Sequence, residues 1–281
     1  MARNYRTMSL GFPPFTRAVK WLIAINGIIF LLLALLQVTT PQLYGEIMLL
    51  FALVPGAVIQ GQVWQLVTYS FLHAGLFHLL FNMLALWMFG SQFESEWGRR
   101  RFLEFFFFCV VGAALVTVGV AYTGALGLGP NTITIGASGG IYGILLAFGM
   151  LYGEREIMLF PIPFMIKAKY FVAGLTFIAV YGALQGPGGV ANLAHLGGLI
   201  FGLIYLKLLP RRGLIFGASE NYFGIRNAYY RWKRRRAARK FQVYMRKHDR
   251  SQFFDEHGNY REPGATPREK GNGEHRGPWV Q

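Results

Sequence analysis

The sequence is short of three things. Among its 281 residues there is one cysteine, Cys109, so an intrachain disulfide is excluded. No His/Cys spacing of the zinc-binding kind occurs, and nothing calls for a metal or an organic cofactor. Acidic residues are scarce, 13 against 28 Lys and Arg, for a formal net charge of +15. Charge is also missing over long stretches. Residues 39–73 hold only Glu46, and 123–136 and 185–189 hold none.

What is present is apolar. Hydrophobic residues make up 53% of the chain and the mean hydropathy is +0.35, too oily for an ordinary soluble domain. Six apolar runs, at 18–38, 74–90, 102–122, 137–153, 170–184 and 190–209, approach the length that crosses about 30 Å of hydrocarbon. A seventh stretch, "IMLLFALVPGAV" (47–58), is too short, carries Pro55, and is expected in or near the interface. No small-x-small cleavage site precedes "TTPQLYGE", so the first run reads as a retained anchor.

The charges fall into alternate connections. Arg17 and Lys20 border the first run. Residues 91–101 hold Arg99, Arg100 and Arg101, and 154–169 hold Arg155, Lys167 and Lys169. Lys207, Arg211 and Arg212 follow the sixth run. Under the positive-inside rule this predicts an all-α integral membrane protein of six transmembrane helices with both termini cytoplasmic. The expected organisation is a cytoplasmic arm (1–17), a membrane domain (18–210), a basic juxtamembrane tail (211–250) and a disordered C-terminus (251–281). The tail has thirteen Lys/Arg against Glu220 and Asp249. Such a run can bind nucleic acid, but beside a membrane span the favoured partner is anionic lipid headgroups, and no nucleic acid is expected.

Polar side chains within apolar runs are costly in lipid and therefore informative. They are His78 and Asn82 in the second run, Ser138 and Tyr142 in the fourth, and Asn192 and His195 in the sixth. His78, Ser138 and His195 each lie sixteen residues before the first inner-face charge, Glu94, Glu154 and Arg211 respectively. At a helical rise each sits about 24 Å above the inner boundary. Three parallel helices thus bring a polar group to one level.

Local spacing adds detail. His78/Asn82 and Ser138/Tyr142 are i, i+4 pairs and share helix faces. Gly136/Gly140 and Gly139/Gly143 surround Ser138, and Ala194, Gly198 and Gly202 form a small-residue stripe beside His195. Small stripes let helix backbones approach closely in lipid. A serine becomes nucleophilic only when a base takes its proton, and His195 is the candidate base. No carboxylate lies at this depth. Tyr142 could hold the imidazole by stacking, while His78, Asn82 and the Ser138 amide could donate to an oxyanion. From the residues alone, helix packing and a polar transport pathway remain alternatives to acyl transfer.

"HAGLFHLLFNM" (73–83), "GASGGIYG" (136–143) and "ANLAHLGGLIFG" (191–202) resemble the signature segments of the rhomboid intramembrane serine proteases, in order and spacing. The resemblance spans about 18–210. It implies a rhomboid-like bundle in which Ser138 is the nucleophile and His195 the base of a Ser-His dyad. His78 and Asn82, with the Ser138 amide, would stabilise the oxyanion; Tyr142 would pack on the base and Gly198 let two helices meet. Glu94 and Gly98 in "FESEWG" resemble a structural motif, and His73 a histidine that orders the first outer loop. Trp64-Gln65 stands where many members have Trp-Arg, a departure that touches loop structure. The implied activity is endopeptidase cleavage of single-span transmembrane substrates near the outer face, without a cofactor. Inactive relatives that bind membrane clients are the alternative within the family. A short chain with no evident presequence suits a bacterial inner membrane.

Overall fold

The computed structural model describes residues 13–158, 164–185, 190–208 and 214–247, together with Phe254 and Tyr260. Arg3 and Arg6, the connection 186–189, Arg211 and Arg212, and nearly all of 251–281 lie outside the described residues. The chain divides into two units, Met1–Leu214 and Ile215–Gln281.

The first unit is almost wholly helical. It opens with α1 (Arg17–Thr39), α2 (Pro41–Phe51), α3 (Pro55–Ile59), α4 (Gln65–Thr68) and a 3₁₀ turn at Tyr69–Phe71. Next, α5 (Leu76–Ala85) runs through a π-helical turn (Leu86–Gly90) into α6 (Ser91–Trp97). Then come α7 (Arg99–Ala121), a 3₁₀ turn (Ala125–Gly127), α8 (Ser138–Leu151), the strands β1 (Glu156–Met158) and β2 (Met165–Lys167), α9 (Ala168–Ala183) and α10 (Val190–Leu208). The strands pair antiparallel with Ile157 opposite Ile166. The second unit is chiefly α11, a helix over Leu214–Lys247 whose side chains from Arg226 to Tyr244 are exposed.

Three helical stretches, Arg17–Thr39, Leu76–Trp97 and Arg99–Ala121, are long and apolar enough to cross a membrane; Ser138–Leu151, Ala168–Ala183 and Asn192–Leu208 are apolar but shorter. The surface agrees with a lipid setting. Leu31, Leu35, Phe77, Phe81, Phe177, Tyr181 and Leu184 are all exposed, an apolar area that water would not tolerate. Beneath them Phe93, Phe102, Phe105, Phe106, Val110, Ile144 and Tyr205 form a core with almost no exposure.

Several boundaries have local causes. Pro41 and Pro55 each open a helix, where the missing N–H costs nothing. The stretch 47–58 accordingly breaks between α2 and α3, each shorter than a bilayer span requires. Gly98, at φ +80, separates α6 from α7 in a backbone region that favours glycine. The first turn of α1 has no cap of its own. Glu94, buried on α6, supplies one: its carboxylate accepts the Ala18 N–H at 2.8 and 2.9 Å and the Val19 N–H at 3.0 Å. A carboxylate at a helix N-terminus also complements the helix dipole. "FESEWG" thus fastens the start of α1 to the end of the second long helix.

α8 departs from its apolar run. It begins at Ser138 and ends at Leu151, 14 residues against the expected 137–153. At about 1.5 Å per residue it rises about 21 Å, short of a hydrocarbon core. Residues 152–155 form a turn, so the sixteen-residue count from Ser138 to Glu154 includes steps that do not rise as a helix. The shortness is tolerated because α8 meets little lipid: eight of its residues are buried.

Candidate active site

The entrance to α8 is fixed before the helix starts. Gly136 has φ +122, and its N–H donates to the Tyr69 carbonyl at 2.9 Å. A Cβ at Gly136 would lie 2.8 Å from His78 Nε2 and 3.7 Å from Ser138 Oγ. A glycine is therefore required for space as well as for backbone, and the same point locates the His78 imidazole beside the Ser138 hydroxyl. The first α-helical bond of this turn runs from Ile141 N–H to the Ala137 carbonyl. The amides of Ser138 and Gly139 precede it and have no intrahelical acceptor.

His78 and Asn82 stand on α5. The His78 Nδ1 accepts a long bond from the Ala74 N–H, 3.4 Å, which assigns the ring proton to Nε2 and makes that atom a donor on the Ser138 side. The His73 ring meets the His78 ring edge-on at 5.0 Å and is itself buried, so His73 braces His78 from the loop. Asn82 is buried and donates one N–H to the His78 carbonyl at 2.7 Å. Its second N–H remains available to another acceptor.

His195 enters from α10. Its ring lies parallel to that of Tyr142, with centroids 4.1 Å apart and planes 7° apart. Tyr142 is one turn inward from Ser138 on the same face of α8, so the imidazole is held next to the serine's own helix. His195 Nδ1 is buried without a hydrogen-bond partner, leaving Nε2 as the nitrogen open to a reacting group. Ser138 and His195 make no hydrogen bond to each other among the described residues. In the absence of a substrate, such bonds are often long and close only in the reacting complex.

Glycines set how near α10 comes. A Cβ at Gly198 would fall 2.0 Å from the Gly139 carbonyl oxygen, and one at Gly202 3.1 Å from Gly143 Cα. A Cβ at Gly139 would lie 3.6 Å from the Ala194 carbonyl. The stripe Ala194–Gly198–Gly202 therefore lies directly on Gly139 and Gly143. A second close seam is not evident in the sequence. Gly197 sits against Ala113 Cα of α7, 2.8 Å from its would-be Cβ, and Gly112 of α7 receives the Phe201 ring. α10 is thus wedged between two helices by adjacent glycines pointing to different faces.

Tyr69 is a further residue that spacing alone does not reveal. It is fully buried in the 3₁₀ turn, and its hydroxyl donates to the Val110 carbonyl of α7 at 2.8 Å. The same hydroxyl would sit 3.1 Å from a Cβ at Gly139, while its carbonyl holds Gly136. One residue therefore ties the loop before α5, α7 and the start of α8 together. Gln65 stitches the loop in a similar way. It is fully buried, accepts the Val54 N–H at 2.9 Å, and donates to the Leu49 carbonyl (2.9 Å) and Gln62 Oε1 (3.0 Å). Trp64 adds a bond from its indole to the Leu50 carbonyl. Among the described residues no cluster of His, Cys, Asp or Glu could hold a metal ion.

These features define a helical integral membrane protein with a serine and two histidines gathered near the N-terminal end of its short central helix. Comparison with known proteins gives the family. A family profile described as the Rhomboid domain matches residues 60–212, more than half of the chain. The chain belongs to the rhomboid family. It is 31% identical over 139 residues to "Rhomboid protein 1, mitochondrial" of Saccharomyces cerevisiae, covering 48% of this chain and 39% of that protein. To "Rhomboid-like protease 5" of Toxoplasma gondii it is 34% identical over 152 residues, 52% of this chain and 16% of that one. To "Rhomboid protease GlpG" of Yersinia pestis it is 29% identical over 156 residues, 51% and 47% of the two chains. The matches span less than half the length of each of these relatives.

Proposed function

We propose that the chain is an intramembrane serine endopeptidase that cleaves single-span transmembrane proteins near the outer membrane face. The observation that carries this reading is the parallel seating of His195 on Tyr142, one turn along α8 from Ser138, with His78 Nε2 lying 2.8 Å from the Cβ position of Gly136, two residues before the serine. In the reaction, Ser138 Oγ attacks the scissile carbonyl carbon as His195 Nε2 takes its proton. The oxyanion is held by His78 Nε2–H, Asn82 Nδ2–H and the Ser138 amide. Collapse expels the amine, which receives the proton from His195. Water, activated by the same imidazole, then hydrolyses the acyl enzyme and returns the proton to Ser138. Tyr142 and Gly198 act on position alone, by holding the base at its place. A helical substrate hides its carbonyls in hydrogen bonds, so the cleaved segment must first unwind, which favours small or helix-breaking residues there.

The architecture we infer is six spans with both termini cytoplasmic, in a bacterial inner membrane. Residues 18–210 form the membrane domain, flanked by the arm 1–17, the basic tail 211–250, which contacts anionic headgroups rather than nucleic acid, and a disordered 251–281. In this scheme the short helix α8 is carried by its neighbours, since eight of its fourteen residues are buried. The test is covalent labelling of the purified protein by a fluorophosphonate, with Ser138→Ala and His195→Ala alongside. Labelling of the wild type alone is expected, with both variants extracting as folded protein. Labelling or proteolysis undiminished in Ser138→Ala would remove the assignment.

A further inference from the structure

Ser138 stands in a turn that its own sequence does little to hold. Gly136, Gly139 and Gly140 surround it, and glycine has the freest backbone of any residue. The amides that open α8 have no helical acceptor to fix their direction. What aims the serine and these amides must therefore come from outside the helix, and Tyr69 meets the turn on both sides of Ser138. Before the serine, the Tyr69 carbonyl accepts the Gly136 N–H at 2.9 Å. After it, the Tyr69 hydroxyl lies 3.1 Å from the Cβ position of Gly139, closer than ordinary van der Waals contact.

The hydroxyl is itself fixed. Tyr69 is fully buried, and its O–H donates to the Val110 carbonyl of α7 at 2.8 Å. Ala113, on the next turn of α7, has its methyl group 2.6 Å from the same Cβ position of Gly139. The glycine is thus seated between a phenol oxygen and an α7 methyl group, while its carbonyl takes the close approach of Gly198. The phenol's one proton is committed to Val110, so it gives none to a reaction. Val110 lies inside α7, where its carbonyl also accepts the Ala114 N–H, so losing the phenol's bond leaves no bare carbonyl. Position is what the hydroxyl contributes.

We propose that the Tyr69 hydroxyl is a positioning group for the Ser138 turn, holding Gly139 in place so that the serine and its amide keep their aim. This rests on the serine-protease assignment above and adds to it a residue from the loop before α5. Tyr69→Phe isolates the contact: it removes one oxygen beside Gly139 and keeps both the ring and the carbonyl that binds Gly136. Released on one side, the turn spends time in orientations where Ser138 and its amide are misaligned. Tyr69 is fully buried and does not touch a substrate, so the loss falls on kcat and leaves KM alone.

Three measurements on the full chain purified in detergent test it, with thermal melting to verify that each variant is folded. Tyr69→Phe should be labelled by a fluorophosphonate about tenfold more slowly than the wild type, part of the about 10²-fold that a 1 Å displacement can cost. Its kcat for a model transmembrane substrate should fall alike, with KM unchanged. Deuterium uptake over 136–143 should rise while uptake over α7 stays as it was. Tyr205→Phe is the matched control: it deletes another buried hydroxyl, bonded to Glu104 at 2.9 Å, about 15 Å further along α10 than His195, and should be labelled at the wild-type rate. The proposal is overturned if Tyr69→Phe is labelled at the wild-type rate, if uptake over 136–143 does not change, if KM carries the loss, or if Tyr205→Phe slows labelling equally. A Tyr69→Phe protein that fails to fold would overturn it too, since the hydroxyl would then serve the whole fold. Absence of labelling in the wild type would instead end the protease assignment, and the uptake comparison alone would then decide whether Tyr69 holds the turn.

Discussion

Replacing Gly198 by alanine adds a single carbon at the tightest point between α8 and α10. That Cβ would stand 2.0 Å from the carbonyl oxygen of Gly139, whereas ordinary contact begins at 3.4 Å. The obstacle is backbone, so no rotamer change relieves it, and the helices must part or slide by more than about 1 Å. Overpacking of this kind costs about 1–3 kcal/mol in stability. The effect on chemistry should be larger, since Gly139 follows Ser138 and Gly198 lies three residues after His195. A 1 Å error between reacting groups can cost about 10²-fold in rate. Gly198→Ala should therefore slow fluorophosphonate labelling of Ser138 about 10²-fold while the protein still extracts and melts cooperatively. Gly198→Val should abolish labelling. Gly202→Ala is the internal control: its Cβ would be 3.1 Å from Gly143 Cα, a clash a few tenths of an ångström deep, one turn further from the site. Gly198→Ala labelled at the wild-type rate would refute the claim that this seam sets the serine–histidine geometry.

Three other outcomes are expected. His78→Ala should lower kcat for a model transmembrane substrate by about 10²-fold with little change in KM, as loss of one oxyanion donor does; unchanged kcat would place the donor elsewhere. Glu94→Gln leaves a neutral side chain with one acceptor oxygen where the carboxylate met two amides of α1, and should lower stability by about 1–3 kcal/mol in thermal melts. A melting temperature equal to that of the wild type would show the cap to be dispensable. In a background lacking Cys109, single cysteines in 123–136 should react with an impermeant thiol reagent on intact cells, and those at 154–156 only after the membrane is opened; the reverse pattern would invert the topology.

Different parts of this molecule were legible in the sequence for different reasons. Helix-period spacing was enough to put Ser138 with Tyr142, and His78 with Asn82, on shared faces, because i, i+4 geometry is local. The small-residue stripe at 194–202 likewise shows its purpose, since three small residues on one face have few other uses in lipid. Tyr69 was invisible because each of its bonds is made at long range, its hydroxyl to Val110 and its carbonyl to Gly136. Glu94 was marked as structural by the family resemblance alone; the helix it caps, 76 residues away, was not legible. Length was the other failure. An apolar run reports how much chain is dry, not how much is helical, so 137–153 reads as a span while α8 stops at Leu151. A helix wrapped by other helices needs no match to bilayer thickness.

That burial bears on a departure of the proposed Ser138–His195 pair from the usual serine-hydrolase plan. A carboxylate behind His195 would normally fix the ring and favour its charged form. At this site an acid would be buried among apolar helices, where an ionised group is very costly unless paired. Orientation is supplied by the Tyr142 ring instead, parallel to the imidazole at 4.1 Å, and the backbone approach at Gly198 holds the two helices that carry them. Stacking constrains the plane of the imidazole without adding a charge to the membrane interior. It leaves Nδ1 without an acceptor, so the imidazolium formed during proton transfer gains no counter-ion there. Under the proposed mechanism the consequence would be a weaker base drive and a slower reaction than a full triad would give. The site's remaining leverage lies in donors aimed at the oxyanion. Under that mechanism, His78 and the amides at the start of α8 would carry more of the rate than proton transfer between Ser138 and His195.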